Sequence, residues 1–326
     1  MEKTQLDNYK KNGIEVSIVI VSYNDKIFLL KCLSSIYSYI KELAFEVIVV
    51  ENNSTDGTDK ILREKFPQVT LIKCSKNIGF AKGNNLAVSK CCGKYILLLN
   101  SDTVVLESGI MDLVNFAHLH PDAGVIGGKT LNLDGSVQYT CRRFPGFWVY
   151  FLAHTIELVK HFNNPILDKF NMVNFNHKYS QEVDWVTGCY MLIPREVIVC
   201  NGLFDENIFM YWEDLELCFR LHNNGYKIYY ASTSPIIHFV GTRIRKNNLG
   251  YTLFSFNSSK WLLMKSKNRV ISKIFEISVL SVWFIFFILF GTLKYICKSK
   301  NILSKYKLFR ELIKNFYKKS SEIESV

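Results

Sequence analysis

The chain has 326 residues, 48% of them hydrophobic and 21% charged, which is enough apolar material for a core spread over about two structural units and excludes intrinsic disorder. Its net charge of +11 is unevenly placed: Lys260 to Lys319 holds 14 Lys/Arg against only Glu276 and Glu311, so the rest of the chain is close to neutral. A nucleic-acid-binding domain carries its positive charge on the folded body, so no nucleic-acid partner is expected; a basic region that also holds the most apolar stretch points instead to a membrane surface. Nine cysteines, an odd number with Cys91 and Cys92 adjacent and no C-x-x-C spacing, indicate neither a disulfide framework nor a zinc site and fit a reducing cytosol. The opening MEKTQLDNYKKNGIE is too polar for a signal peptide, so the body is expected to stay cytosolic.

From the N-terminal end, apolar runs at Val16 to Val21, Glu46 to Val50, Val69 to Cys74, Tyr95 to Leu99 and Val125 to Gly127 read as strands. Between the first two, Leu29, Leu30, Leu33, Ile36, Tyr37 and Ile40 recur at helical spacing, and Ile110, Leu113, Val114 and Ala117 do so before Pro121. This alternation predicts an α/β fold with a mostly parallel central sheet and helices on both faces. It breaks down after about residue 130. Asp134-Gly135 reads as a turn, and Arg142-Arg143-Phe144-Pro145 opens an aromatic, Asn-rich stretch with no clear period. A strand over Val183 to Ile193, a helix over Trp212 to Asn223 and a strand near Lys227 to Tyr230 complete a body ending near Gly250. The expected organisation is a ligand-binding half over 1–130, a second half over 131–250 and a helical appendage over 251–326.

The segments that follow the strands carry the chemistry. Ser22-Tyr23-Asn24-Asp25, Glu51-Asn52-Asn53-Ser54 and Asn100-Ser101-Asp102 each leave the carboxyl end of a parallel strand, so right-handed crossovers bring them to one edge of the sheet, where open α/β sheets bind ligands. Any one cluster is explained by turn chemistry; three on one edge are not. No G-x-G-x-x-G follows a strand, which counts against a dinucleotide oxidoreductase.

Seven stretches in order, VSIVIVSYND (16–25), VIVVENNSTDGT (47–58), NIGFAKGNN (77–85), YILLLNSDT (95–103), VDWVTGCYMLIPRE (183–196), GLFDENIFMYWEDLELCFR (202–220) and HFVGT (238–242), resemble the family 2 inverting glycosyltransferases of the GT-A fold, and within them the rhamnosyltransferase-like branch. The resemblance implies a nucleotide-sugar donor, dTDP-rhamnose or a UDP sugar, and a glycan or polyprenyl-diphosphate-linked acceptor in cell-surface polysaccharide synthesis. It also implies Mg²⁺ or Mn²⁺, which offsets the charge growing on the diphosphate as the sugar leaves. Asp102 matches the second acid of the family's D-x-D metal motif, Asn100 stands in place of the first, with Ser101 between them, and His238 matches a histidine beside metal and diphosphate. Taken alone, Asp102 is also explained as a turn cap and His238 as a core residue. Ser22 and Tyr23 match base and ribose positions. Glu51 stands where the family usually has an Asp accepting the pyrimidine N3–H; being one methylene longer, it implies either a displaced base or a contact shifted to Asn52, and Asn77, Gly79, Gly83 and Asn84 match the donor loop, with glycines for close backbone approach.

In the Glu213-Asp214 pair the resemblance makes Asp214 the general base and Glu213 an acceptor contact, although acids in a first helical turn also suit the helix dipole. Trp185 and Gly188 match the acceptor-side wall, with the indole face free to stack on a sugar. Arg243 and Arg245 follow the HFVGT stretch and fit either a loop over the diphosphate or a solvated charge run. A second class of reading is a membrane-tethered binding module that lost its chemistry, favoured only by Asn100.

In the appendage, Ile277 to Leu293 is uncharged, and basic residues flank it on both sides. At 17 residues it is at the short end of a bilayer span, and a single crossing with the body inside would put the later basic residues outside. Beyond it Tyr306, Phe309, Leu312, Ile313, Phe316 and Tyr317 share a helical face, the pattern of an interfacial helix on anionic lipid. The expected location is the inner leaflet at the cytoplasmic face of the plasma membrane, without crossing; packing of the segment in a homodimer is the alternative.

Overall fold

The run Val16–Ser22 is apolar at nearly every position because it is covered on both faces, as the central strand of a parallel sheet must be. In the computed structural model, which describes residues 13–155, 164–239, 248–266, 269–296, 299–316 and 318, this strand is β1. It is followed by α1 (Lys26–Tyr39), β2 (Phe45–Glu51), α2 (Thr58–Lys65), β3 (Thr70–Lys73), α3 (Phe80–Val88) and β4 (Tyr95–Leu99). Strands β3, β2, β1 and β4 lie side by side and all parallel, in register from Val16 opposite Phe45 to Ser22 opposite Glu51. Leu29, Cys32, Leu33 and Ile36 of α1 pack into the core with Ile18, Ile20, Val47 and Val49.

Two compact units make up the chain. The first comprises Met1–Phe144, Asn171–Glu206 and Glu213–Val240, the second Pro145–Phe170, Asn207–Trp212 and Gly241–Val326. The first unit continues with β5 (Thr103–Val105), α4 (Gly109–Leu119), β6 (Ala123–Leu131) and β7 (Cys141–Arg142). Then α5 (Phe147–Thr155) and α6 (Pro165–Phe170) belong to the second unit, and the first resumes with β8 (Gln181–Glu182), β9 (Trp185–Val186), β10 (Tyr190–Pro194), α7 (Arg195–Asn201), α8 (Glu213–Asn223) and β11 (Lys227–His238). The large sheet has the order β3-β2-β1-β4-β10-β6-β11-β5, with β8 paired to β11.

Two elements differ from the sequence expectation. The strand expected over Val183 to Ile193 breaks at Thr187–Cys189: β9 pairs with β7 in a separate two-stranded ladder, whereas β10 enters the large sheet antiparallel between β4 and β6. The last strand runs on past Tyr230 to His238, where Ile236–His238 pair antiparallel with Thr103–Val105. A register shift between Ala231 and Ile236, over Ser232-Thr233-Ser234-Pro235, interrupts the pairing and the apolar pattern there. The shift has a consequence for the site, because it sets His238 directly opposite Thr103, next to Asp102.

In the second unit, α9 (Asn248–Ser266), α10 (Arg269–Ile296) and α11 (Lys300–Lys314) join α5 and α6. Phe256, Phe275, Trp283 and Phe316 are buried in one aromatic core. Burial pushes His154 down to about 3, so its ring stays neutral and meets Ser259 Oγ at 2.9 Å, while its carbonyl accepts Trp283 Nε1–H at 2.8 Å. The apolar face expected to lie on lipid from Tyr306 to Tyr317 has a protein partner instead. Phe309 stacks on Phe286 and Phe290, Tyr306 on Phe287, and Leu312 is buried; Tyr317 lies outside the described residues. The more hydrophobic α10 takes that face and leaves its own opposite stripe uncovered, with Ile277, Phe284, Ile285 and Ile288 all at least half exposed.

Strand β6 carries Gly127 and Gly128 because side chains of its neighbours occupy the space: a Cβ at 128 would stand 2.1 Å from the ring of Tyr190, which is buried and donates its hydroxyl to Gly109 O at 2.8 Å. Gly128→Ala is therefore expected to destabilise the first unit by at least ~1–3 kcal/mol, read as a lower midpoint in urea unfolding.

Candidate active site

The carboxyl edge of the parallel strands collects most of the residues singled out in the sequence. Ser22 and Glu51 end β1 and β2 as register partners and are both buried. Glu51 accepts the Ser54 N–H through Oε1, while its Oε2 and the Ser22 hydroxyl are buried without a partner among the described residues. Two adjacent orphaned polar atoms of this kind, one an acceptor and the other a donor, match a ligand that presents an N–H beside a carbonyl. Tyr23 beside them is partly exposed.

Asn52 is placed differently from its expected role. Its Oδ1 accepts Ile78 N–H at 2.8 Å and its Nδ2 reaches Asn77 Oδ1 at 2.7 Å, so the amide holds the Asn77–Gly79 loop and is not open toward a base. Asn77 in turn accepts Gly79 N–H at 3.0 Å, and Gly79 has a φ of +85° that favours glycine. Gly83 and Asn84 have structural partners of their own: a Cβ at 83 would press on Val21 at 3.0 Å, so this glycine lets α3 approach β1, and buried Asn84 donates to Phe80 O. Neighbouring Asn85, which the sequence did not single out, exchanges two hydrogen bonds with Phe204 and fixes α3 to the loop after α7.

Beyond β4, Ser101 donates to Asp25 Oδ2 at 2.6 Å, which pins the turn to the N-terminus of α1. His238 Nε2 lies 3.1 Å from Asp102 Oδ1 and 3.2 Å from Asn100 Nδ2. Burial works against a charged ring at His238, but Cys189 and Asp102 beside it outweigh burial and raise it to about 10. Oxygen and imidazole donors converge here, and among the described residues no third His, Cys, Asp or Glu joins them as a ligand cluster. Once a cation displaces the Nε2 proton, a pair of this kind suits a divalent ion whose remaining positions would be filled by phosphate oxygens and water. Arg243 and Arg245 lie outside the described residues.

The Thr187–Cys189 break positions the remaining carboxylate. Gly188 N–H donates to Asp214 Oδ2 at 3.0 Å, and Leu215 N–H to Asp214 Oδ1 at 2.8 Å. The next residue, Cys189, accepts Asn100 N–H through its carbonyl at 3.0 Å. One short backbone segment thus connects the Asn100–Asp102 turn with Asp214. Burial pushes the Asp214 carboxyl above its ordinary range, and the two N–H groups and the Arg142 guanidinium pull it part of the way back. Arg142 stood in the stretch with no readable period; it lies over the Trp185 ring at 5.4 Å and donates to Asn171 at 3.2 Å. Trp185 is only 5% exposed and donates its indole N–H to Arg143 O, so the expected open stacking face is instead the seat of Arg142. Glu213 is buried, with Oε2 lacking a partner among the described residues; burial, and then the charge of Asp214, hold it well above the usual carboxylate range. Glu216 is bound by Arg220, whose guanidinium also reaches the carbonyls of Asn201 and Leu203, so it serves the fold.

The glycosyl transferase family 2 model matches residues 17–197. The N-acetylglucosaminyl-diphospho-decaprenol L-rhamnosyltransferase of Mycobacterium tuberculosis is 26% identical over 241 residues, which cover 68% of this chain and 75% of that protein. The rhamnosyltransferase WbbL of Escherichia coli is 25% identical over 240 residues, 69% of this chain and 83% of its own. Among solved structures, the mannosyltransferase PcManGT from Pyrobaculum calidifontis, in complex with GDP-Man and Mn²⁺, matches with a TM-score of 0.52 at 16% identity over 95% of this chain and 89% of that one. S. aureus TarS matches with 0.51 at 15% identity over 95% and 89%. These likenesses bear on the fold, which is GT-A-like.

The raised Glu213 generates a stability prediction. An acid whose folded value lies above its unfolded one is protonated in both states at low pH, and the folded state loses ground as pH rises past the ordinary carboxylate range. Glu213→Gln should therefore melt close to wild type near pH 4 and gain on the order of 1 kcal/mol, ~2–4 °C in Tm, at neutral pH. Thermal melts across that pH range check it.

Proposed function

Because the chain belongs to glycosyl transferase family 2, we propose that it is an inverting glycosyltransferase that moves a sugar, rhamnose from dTDP-rhamnose first among the donors, to a glycan or polyprenyl-diphosphate-linked saccharide in surface polysaccharide synthesis. The observation that carries this reading is the Gly188–Cys189 segment, hydrogen-bonded to Asp214 on one side and to the Asn100–Asp102 turn on the other. It supports a base and a cation-binding pair held side by side by backbone. The orphaned Ser22 hydroxyl and Glu51 Oε2 support a thymine or uracil base, whose N3–H and flanking carbonyl complement them, over cytosine, whose N3 is an acceptor. The names of the M. tuberculosis and E. coli relatives support rhamnose as the sugar and, for the former, a lipid-linked acceptor.

In the proposed mechanism Asp214 takes the proton of an acceptor hydroxyl, whose oxygen attacks the anomeric carbon from the face opposite the diphosphate, so the configuration inverts in one displacement. Asp102 and His238 would hold Mg²⁺ or Mn²⁺, which supplies charge neutralisation at the leaving diphosphate. The two backbone N–H groups orient the Asp214 carboxylate, and the raised carboxyl makes it a stronger base than an exposed aspartate. Glu213, its carboxyl raised by burial and then by the charge of Asp214, would face the acceptor through its unpaired oxygen.

The second unit supports attachment to the inner leaflet without a crossing. Helix α10 is long and apolar enough to cross a bilayer, by length and composition. However, α11 returns along it through the Phe286–Phe309 and Phe287–Tyr306 contacts and carries Lys300, Lys305, Lys307, Arg310 and Lys314, which a crossing would draw into hydrocarbon. A hairpin with one apolar stripe and basic flanks suits shallow insertion among anionic headgroups.

Asp214→Asn is expected to lower kcat by at least ~10²-fold with donor affinity unchanged, because the amide keeps the shape and cannot take the proton. In the wild type, kcat/KM should fall as pH drops through a value above the ordinary carboxylate range; transfer assays with dTDP-rhamnose and UDP sugars in Mn²⁺ read both, and a variant with wild-type rate refutes the base. For the second unit, the full chain should float with phosphatidylserine-containing vesicles, and Phe284→Asp combined with Ile288→Asp should stay with the soluble fraction. A full chain that does not float refutes the membrane reading.

A further inference from the structure

The turn after β6 ends against His238, and its hydrogen bonds run in one direction. Asp134 Oδ1, a carboxylate oxygen that can only accept, takes the Ser136 hydroxyl at 2.6 Å and the Ser136 N–H at 2.9 Å. The Ser136 oxygen, its proton committed to Asp134, accepts Asn132 Nδ2–H at 2.9 Å. Asn132 Oδ1 therefore faces the other way and accepts Gln138 Nε2–H, again at 2.9 Å. That leaves Gln138 Oε1 pointing at His238 Nδ1, 2.8 Å away. An amide oxygen only accepts, so Nδ1 carries a proton and Nε2 is the nitrogen that stands at Asp102 and Asn100. Backbone bonds make the turn stiff: Asn132 N–H to Ser136 O, Gly135 N–H to Asn132 O, and Gln138 N–H to Thr130 O. Gly135 supplies the required φ of +81°.

We propose that Gln138 is a positioning residue for the cation site, its side-chain carbonyl fixing the ring plane of His238 so that Nε2 is presented beside Asp102. The proposal rests on the reading of Asp102 and His238 as the cation pair. A histidine ligand is commonly held by an acceptor on its other nitrogen, which sets both orientation and tautomer, and loss of such a partner typically costs 10–100-fold in metal affinity. Here that acceptor comes from a turn whose own amides are locked in sequence back to a carboxylate. Gln138 touches neither the cation nor the sugar in this reading; it acts through His238.

The test measures Mn²⁺ affinity of the full-length protein from the electron paramagnetic resonance signal of free Mn²⁺, with dTDP or UDP present, and thermal melts confirm that each variant is folded. Gln138→Met, which keeps the length and lacks the acceptor, should weaken Mn²⁺ binding by roughly 10–100-fold. Gln138→Glu keeps an oxygen at Nδ1 and should restore it. Equal losses in both variants would mean that the turn, not the acceptor, matters, and wild-type affinity in Gln138→Met would likewise overturn the proposal. Asp102→Ala and His238→Ala separate the two layers: if they lose Mn²⁺ while Gln138→Met does not, only the positioning role falls; if they retain it, the cation pair itself is refuted.

Discussion

Two hydrogen bonds to consecutive residues, Gly188 N–H to Asp214 and Asn100 N–H to Cys189 O, hold the candidate site together. They exist because the chain leaves the β9 ladder, crosses three residues and re-enters the large sheet as β10, antiparallel between β4 and β6. The parallel strands supply an edge with polar residues, as any open α/β sheet does. The antiparallel insertion brings a carboxylate from α8, more than a hundred residues away in sequence, to that edge. The atoms nearest to where a Gly188 Cβ would stand belong to the Phe80 ring and Asp214, at ordinary contact distance, so α3 and the carboxylate flank the same segment. A slip of one residue in the Tyr190–Leu99 register would turn the Gly188 N–H away from Asp214 and move β10's buried side chains to the opposite face.

How much of this was legible in the sequence follows from what each signal encodes. The four parallel strands were readable because burial on both faces leaves uninterrupted apolar runs, and the carboxyl-edge clusters follow from handedness alone. Beyond residue 130 the elements are held by non-local pairing: β7, β8 and β9 are two residues each, too short for any period to show. Arg142 could not be placed near Asp214 without knowing that β7 pairs with β9, which sets it directly opposite Trp185. The same pairing explains why Trp185, readable as an aromatic wall, turns out to be covered. At Gly83 and Asn52 the residue types were informative and their direction was not; one faces Val21 and the other the Asn77–Gly79 loop, and sequence cannot distinguish approach to a ligand from approach to a neighbouring element.

The second unit makes a related point about amphipathic helices. The face of α11 was visible in the spacing of Tyr306, Phe309, Leu312 and Phe316, but a helix with an apolar stripe fits lipid and protein equally well. What decides is the partner available: α10 is apolar on every side from Val282 to Phe290, so it satisfies α11 and still has a stripe left over. Its ion pairs and indole bond lie on the inner side, Glu276 to Lys260 and Lys273 and Trp283 to His154, whereas on the outer side Ser278 and Ser281 donate only to the helix's own carbonyls. The segregation is that of a helix whose outer surface is adapted to an apolar medium, with the charge needed at its boundary supplied by the flanks and by α11.

Asn100 is where this chain departs from its family's acidic pair, and the surrounding geometry indicates what the change does. With Asp102 as the one carboxylate, the cation pair carries a single negative charge once Nε2 of His238 has given up its proton, and the ring then contributes a dipole in place of the second carboxylate. Attraction for a dication scales with that charge, so in the proposed reading the protein alone holds the cation weakly and the donor's diphosphate completes its coordination. Cation and nucleotide then bind as one unit. Orientation gains weight in such a site: a carboxylate attracts a cation from many directions, whereas a ring nitrogen does so along one lone pair. The turn from Asn132 to Gln138, with its hydrogen bonds directed toward the imidazole, supplies that orientation where charge has been given up.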